Sequence, residues 1–241
     1  MRIAVVSDIH GNLTALEAVI ADLKGVGTDL IIHGGDLVGG GSSPAEVIDR
    51  VRELKWPGVF GNADEMLWRP DRVEKMLPGP HLQLVRDLLV SHTIPATLEA
   101  IGGERLTWLQ SFSDWWVSDT LAVVHASPGD AWRSPTAKAS DGELERIYSP
   151  LASPRVVYGH IHHAYVRRLP SFTLVNSGSV SLSYDGDPRA AYALIDDERV
   201  EIRRVSYDVE EEVARLSVLG DPFAASTIAS LRTGAYVPLQ R

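Results

Sequence analysis

The 241-residue chain contains no cysteine, which excludes disulfides, thiolate metal ligands and a cysteine nucleophile. Any metal it holds must be bound through nitrogen and oxygen. No apolar stretch approaches the ~20 residues that a membrane span requires, and there is no internal repeat or low-complexity segment. Positive charge is in deficit as well. With 23 Lys+Arg against 32 Asp+Glu, the formal net charge is −9, which argues against a stable nucleic-acid partner, because backbone binding depends on clustered positive charge. The sequence passes from Met1 straight into an apolar run, so the expectation is a soluble, cytoplasmic protein with no secretion signal and no membrane partner. What the chain does have is 44% hydrophobic content over 241 residues, enough to fill the core of a single domain.

Much of that content lies in short runs rich in Val, Ile and Leu, at residues 2–7, 29–33, 58–60, 121–124 and 155–158. Each ends at polar residues or glycine, as buried strands do. Asn12 is placed to cap a helix over residues 13–23, where Leu13, Leu16, Ile20 and Leu23 recur at helical spacing, and Pro44 suits the first turn of a second helix over residues 44–54. Strands alternating with helices predict an α/β fold with a parallel sheet in the N-terminal third. Residues 64–119 change character, with stripes at Leu82, Val85, Leu88 and Leu89 and at Leu106, Leu109 and Phe112. They read as a helical insertion within the one domain of residues 1–241, capping a pocket. All six tryptophans fall between residues 56 and 132 and read as packing between cap and core. Residues 173–176, 191–195 and 200–205 read as a meander in a second sheet, with Asp196-Asp197 in its last turn. Helices over residues 209–218 and 222–232, behind Asp208 and Asp221, close the pattern, with Gly234 as a stop.

The chemistry gathers where the apolar runs end. Asp8 and His10, Gly35-Asp36, Gly61-Asn62, His125, and Gly159-His160-Ile161-His162 each follow one of them, and in open α/β sheets ligands bind outside the carboxyl ends of strands. Residues two apart on extended chain share a face, so Asp8 with His10, and His160 with His162, are expected to clasp a cation pairwise. The Asp36 carboxylate can bridge two ions and Asn62 can offer a neutral oxygen. Two divalent ions held by only two carboxylates keep a net positive charge for a hydroxide and an anionic ester. Such a pair, ~3.5–4 Å apart, lowers the pKa of a bridging water and clamps both oxygens of an in-line displacement. Imidazole-rich ligation suits manganese, iron, zinc, cobalt or nickel over calcium or magnesium. Singly, Gly-Asp and Gly-Asn are ordinary turn chemistry; the ordered set carries the argument.

That set closely resembles the calcineurin-like metallophosphoesterase superfamily, whose pattern is D-x-H, G-D, G-N-x-D/E, a histidine, and G-H-x-H. The opening SDIHGN, Ser7 to Asn12, is similar to its small bacterial and archaeal phosphodiesterase-like branch. The resemblance implies an α/β, four-layer αββα sandwich of two mixed sheets flanked by helices, with a two-metal site at the rim between the sheets. It implies that Asp8, His10, Asp36 and His162 hold one metal and Asp36, Asn62, His125 and His160 the other, with Asp36, Asn62 and His125 central to catalysis. Where many relatives carry a proton-donating histidine after G-N, this chain has Ala63, so the leaving-group proton is expected from water or from His33. Asn12, His33 and Asp64 are expected to orient ligands or substrate. The expected activity is hydrolysis of a phosphodiester or phosphomonoester, in a phosphorylated small molecule or nucleotide, by a bridging hydroxide on two divalent ions, manganese first. A non-catalytic protein-binding scaffold of the same fold and a protein Ser/Thr phosphatase are the other readings.

Overall fold

The computed structural model describes residues 1–196 and 199–239; Asp197, assigned above to a turn, lies outside the described residues. The chain begins with β1 (Ile3–Val6), α1 (Leu13–Val26), β2 (Leu30–His33) and α2 (Pro44–Glu53). β1 and β2 pair in parallel with Val6 opposite His33. Asn12 caps α1, its side-chain oxygen accepting from the Ala15 N–H at 2.9 Å, and Gly27 ends the helix at a left-handed φ of 71°. Helical structure continues through α3 (Asn62–Glu65), α4 (Asp71–Met76), α5 (Gln83–Leu88), a π-helical turn at Leu89–Thr93 and α6 (Ile94–Leu109). Gly102, at φ 68° and ψ 172°, breaks α6.

The second sheet contains β3 (Trp115–Val117), β4 (Ala122–Val124), β5 (Arg155–Tyr158), β6 (Tyr165–Arg168) and β7 (Thr173–Asn176), in the order β3-β4-β5-β7-β6, with α7 (Asp141–Tyr148) between β4 and β5. β8 (Ala190–Ile195) and β9 (Val200–Val205) then return to the first sheet, ordered β2-β1-β8-β9. α8 (Val209–Leu216) and α9 (Ala224–Thr233) follow. Asp208 caps α8 by accepting from the Glu211 N–H at 3.0 Å.

Strand alternation stacks these elements in four layers. On β1, Ile3 and Val5 meet Val123, Val157 and Val175 of the other sheet, while Ala4 and Val6 point the opposite way, against Leu16, Val47 and Ile48 of α1 and α2. Val124, Val156 and Leu174 likewise turn away from the inter-sheet interior, toward Leu144 and Tyr148 of α7. The layers are helix, sheet, sheet, helix, and both sheets mix parallel with antiparallel pairs.

Four readings of the sequence change. β8 and β9 do not extend a meander of the second sheet; β8 lies antiparallel to β1, Val5 opposite Ala193. Residues 58–60 form only isolated bridges, Gly58 to His33 and Val59 to Ser113. The stretch 64–119 is not helical to its end, because β3 joins the second sheet beside β4. β6 is an additional strand, paired with β7. Among the described residues no helix is long and apolar enough to cross a membrane.

Candidate metal centre

The loops that follow β1, β2, β4 and β5 emerge at one rim and are stitched together through their backbones. Pairing of β1 with β2 continues beyond the strands: the N–H groups of Asp8, His10 and Gly11 donate to the carbonyls of Gly35, Asp36 and Leu37 at 3.0, 2.8 and 2.8 Å. Gly159 N–H donates to the His125 carbonyl at 2.9 Å, tying the loop after β5 to that after β4. The two sheets are joined in turn by the segment after β7, where Val180 and Ser181 N–H donate to the carbonyls of Ser7 and Asp8 at 3.1 and 3.2 Å. Close approach demands glycine at several points, two of them against ligand carboxylates. A Cβ on Gly61 would overlap the Asp36 carboxylate, and one on Gly159 would overlap the Asp8 carboxylate and the Ser7 hydroxyl.

All seven proposed ligands face one another there. Histidine Nε2 of residue 162 lies 3.1 Å from Asp8 Oδ1 and 3.2 Å from His10 Nε2; His10 Nε2 lies 3.6 Å from Asp36 Oδ2. On the other side of Asp36, His125 Nε2 is 3.4 Å from Oδ2 and 3.0 Å from Asn62 Oδ1, which is itself 2.8 Å from His160 Nδ1. The pairwise clasp expected of extended chain is not how they get there. Asp8, His10, Asp36, His160 and His162 all adopt left-handed backbone, with φ from 49° to 64°, a conformation non-glycine residues rarely take. His160 and His162 accordingly diverge, one toward Asn62 and the other toward Asp8.

The hydrogen bonds on the far side of each ring decide what the near side offers. His10, His162 and His125 donate from Nδ1 to the carbonyls of Gly39, Leu182 and Gly34 at 2.7, 2.6 and 2.8 Å. Carbonyl oxygens only accept, so the inward Nε2 of each neutral ring is a bare lone pair. In their neutral forms His10 and His162 therefore point lone pair at lone pair, beside the Asp8 carboxylate, which accepts from the His160 N–H at 3.1 Å. Two lone pairs facing each other beside a carboxylate, buried with no donor between them, are unfavourable, and a cation is the species that fits there. The groups Asp8, His10, His162 and Asp8, Asp36, His125 are each close enough to hold an ion.

Electrostatics favour the same occupant. Burial works against ionising Asp36, but His125, His10 and His160 around it hold its pKa below the usual carboxylate range. Burial likewise opposes ionisation of Asp8, and His162 and His125 override it. For His125, burial disfavours the charged ring, yet Asp36 and Asp8 carry its pKa up to about 10, so in the metal-free site a proton takes the place of a cation. Burial and the neighbouring His125 push His160 down to about 4.

Asn12 does two things: besides capping α1, its Nδ2 donates to Ser181 Oγ at 3.2 Å. Asp64 is buried and binds two ligand loops at once, Oδ1 accepting from Leu37 and Val38 N–H at 3.0 and 3.2 Å and Oδ2 from Gly61 N–H at 2.9 Å. Burial, and then the charge of Asp36, raise it to about 7. His33 lies elsewhere. As the last residue of β2, it turns its ring to the helical side, edge-on to Phe112 at 4.4 Å; neither ring nitrogen has a hydrogen-bond partner, and burial lowers its pKa to about 3. It is no proton source for the cluster. Arg189 is spent on Asp187. Of the tryptophans only Trp132 borders the cavity over the cluster, its indole donating to Glu65 at 2.6 Å.

Sequence reasoning missed the serines after β7. Ser179 Oγ donates to the Asp8 carbonyl at 2.8 Å and accepts from Ser181 and Leu182 N–H, which holds the Asp8 loop and the carbonyl anchoring His162. The available signal was Asn176-Ser177-Gly178-Ser179, turn-forming residues closing an apolar run.

Comparison with known proteins is consistent with this geometry. A family model described as the calcineurin-like phosphoesterase superfamily domain matches residues 1–199. The uncharacterised protein MJ0912 of Methanocaldococcus jannaschii is 27% identical over 252 aligned positions, covering 89% of this chain and 91% of that protein. The crystal structure of a metallophosphoesterase from Sphaerobacter thermophilus aligns with TM-score 0.77 and 27% identity, over 97% of this chain and 99% of that one. The hypothetical protein PH1004 from Pyrococcus horikoshii aligns with TM-score 0.81 at 21% identity, over 98% and 99% of the two chains, a likeness of fold.

Proposed function

Because the chain belongs to the calcineurin-like phosphoesterase superfamily, we propose that it is a divalent-metal-dependent phosphoesterase, hydrolysing phosphodiesters or phosphomonoesters of small molecules at the rim between its sheets. The observation that carries this reading is the lone-pair cluster of His10 and His162 against Asp8, beside the His125, Asp36 and Asn62 group. Asp8, His10, His162 and Asp36 would hold one ion, and Asp36, Asn62, His125 and His160 the other. Bound there, two cations supply Lewis acidity, acidifying water and neutralising the charge that develops on phosphorus oxygens. The four imidazoles suit zinc, iron, nickel or cobalt, and the oxygens of Asp8, Asp36 and Asn62 admit manganese, the first ion to test.

The protein's own part is positioning. The Nδ1 hydrogen bonds of His10, His125 and His162 fix tautomer and ring orientation, so ligation needs no reorganisation. Asp64 sets the spacing between the Asp36 loop and Gly61-Asn62. Ala63 offers only its backbone N–H, which is spent on Asp36 Oδ1 at 2.7 Å. The departing oxygen must take its proton from water, and rates should depend steeply on leaving-group pKa, since a positioned general acid typically contributes ~10²–10⁴-fold.

The test is hydrolysis of bis-p-nitrophenyl phosphate by protein stripped with EDTA and then supplied with manganese. Activity should vanish and return with the metal. Asp36→Asn or His160→Ala should lower the reconstituted rate by more than about 100-fold with an unchanged circular dichroism spectrum. Folded protein that hydrolyses neither this diester nor a monoester and phosphopeptide panel would restore the scaffold reading.

A further inference from the structure

The cavity above the cluster has a volume of about 390 Å³, and His10, Asn62, His160 and His162 form its floor. Its remaining walls are mainly apolar, with Met76, Leu77, Val85 and Leu89 contributed from one side and Phe223 and Leu239 from the other. No lysine or arginine lines it among the described residues, and its one carboxylate outside the floor belongs to Asp221. A site for a nucleoside polyphosphate or a phosphopeptide would need positive charge beyond the reacting phosphate, and these walls supply none.

We propose that this cavity receives the uncharged, mainly apolar organic group of a phosphoester, an alkyl or aryl alcohol. The proposal rests on the phosphoesterase reading for its floor and goes beyond it in naming the substrate class. Each methylene drawn from water into such a cavity is worth about 0.8 kcal/mol, a factor of about four.

The experiment has two arms on the full chain loaded with manganese. The first measures kcat/KM for methyl, butyl, pentyl and thymidine 5′ esters of p-nitrophenyl phosphate. Butyl should exceed methyl by roughly ten- to sixtyfold, and the thymidine ester should fall below butyl. Leu89→Asn should shrink the butyl-to-methyl ratio while Leu89→Met preserves it. The second arm titrates methylphosphonate and octylphosphonate calorimetrically, whose P–C bond a phosphoesterase does not cleave, so that no turnover is involved; octylphosphonate should bind more tightly. Turnover that is flat in chain length, or greatest for the thymidine ester, overturns the proposal and leaves the hydrolytic reading intact. Tighter octylphosphonate binding without hydrolysis of any ester upholds the cavity assignment and overturns the hydrolytic reading. Absence of both overturns both.

Discussion

His125 is where proton and metal compete most directly. With its pKa lifted to about 10, the ring is protonated at neutral pH in the metal-free protein, and a divalent ion must displace that proton to reach Nε2. Between the unperturbed value near 6.5 and about 10, manganese affinity should therefore rise with pH, about tenfold per unit for the one proton released. Calorimetry in buffers of different ionisation enthalpy measures that proton; an affinity independent of pH across this range would contradict it. The sign for stability is opposite. A folded-state pKa above the unfolded one favours the fold fully below about 6.5, and this contribution is lost as pH rises through 10. The seven candidate ligands were legible by residue type and place, each polar and each following an apolar run. Their left-handed backbone was not, because nothing in Asp or His as a residue announces a positive φ. His33 was misplaced for a simpler reason: it is two residues from Gly35 in sequence but still inside β2, where alternation, not proximity, decides which way a ring points.

The cap of α1 shows how an ordinary helix start is coupled to chemistry. Asn12→Ala removes the bond to Ala15 and the bond to Ser181 together, and should cost about 1–2 kcal/mol in urea denaturation. Ser181→Ala leaves the cap intact and should cost less. Both should weaken manganese binding, because Ser181 N–H holds the carbonyl of Asp8; an unchanged affinity in Ser181→Ala would reduce Asn12 to a cap alone. Elements with an apolar signature, such as β1, β5 and β7, were readable from sequence at nearly their observed bounds. β3 and β6 were not, and both are edges of the second sheet. Trp115 and Val117 are exposed, and β6 alternates half-buried with exposed residues. Such strands owe their form to the neighbour they pair with rather than to a buried face of their own.

The two sheets contribute to the centre in unequal kinds: Asp8, His10 and Asp36 follow strands of the first, His125, His160 and His162 strands of the second. An ion bound there would therefore fasten one sheet to the other at the rim. Saturating manganese should stabilise the protein by about 2.7 kcal/mol per site at a hundredfold excess over Kd, raising Tm by a few degrees, with excess EDTA reversing the shift. A Tm indifferent to manganese, iron and zinc would mean that the cluster does not bind them. The assignment of β8 and β9 to the first sheet lay beyond local reading, because partner choice across 190 residues is set by which surface remains uncovered once β1 has paired with β2 and α1. The ribosome emits the ligands in the order Asp8, His10, Asp36, Asn62, His125, His160, His162, and the serines that brace Asp8 come after all of them. The centre thus has a history as well as a shape. A growing chain that has reached residue 124 holds fragments of both candidate subsites and a finished version of neither; one has all its residues only at His160 and the other only at His162.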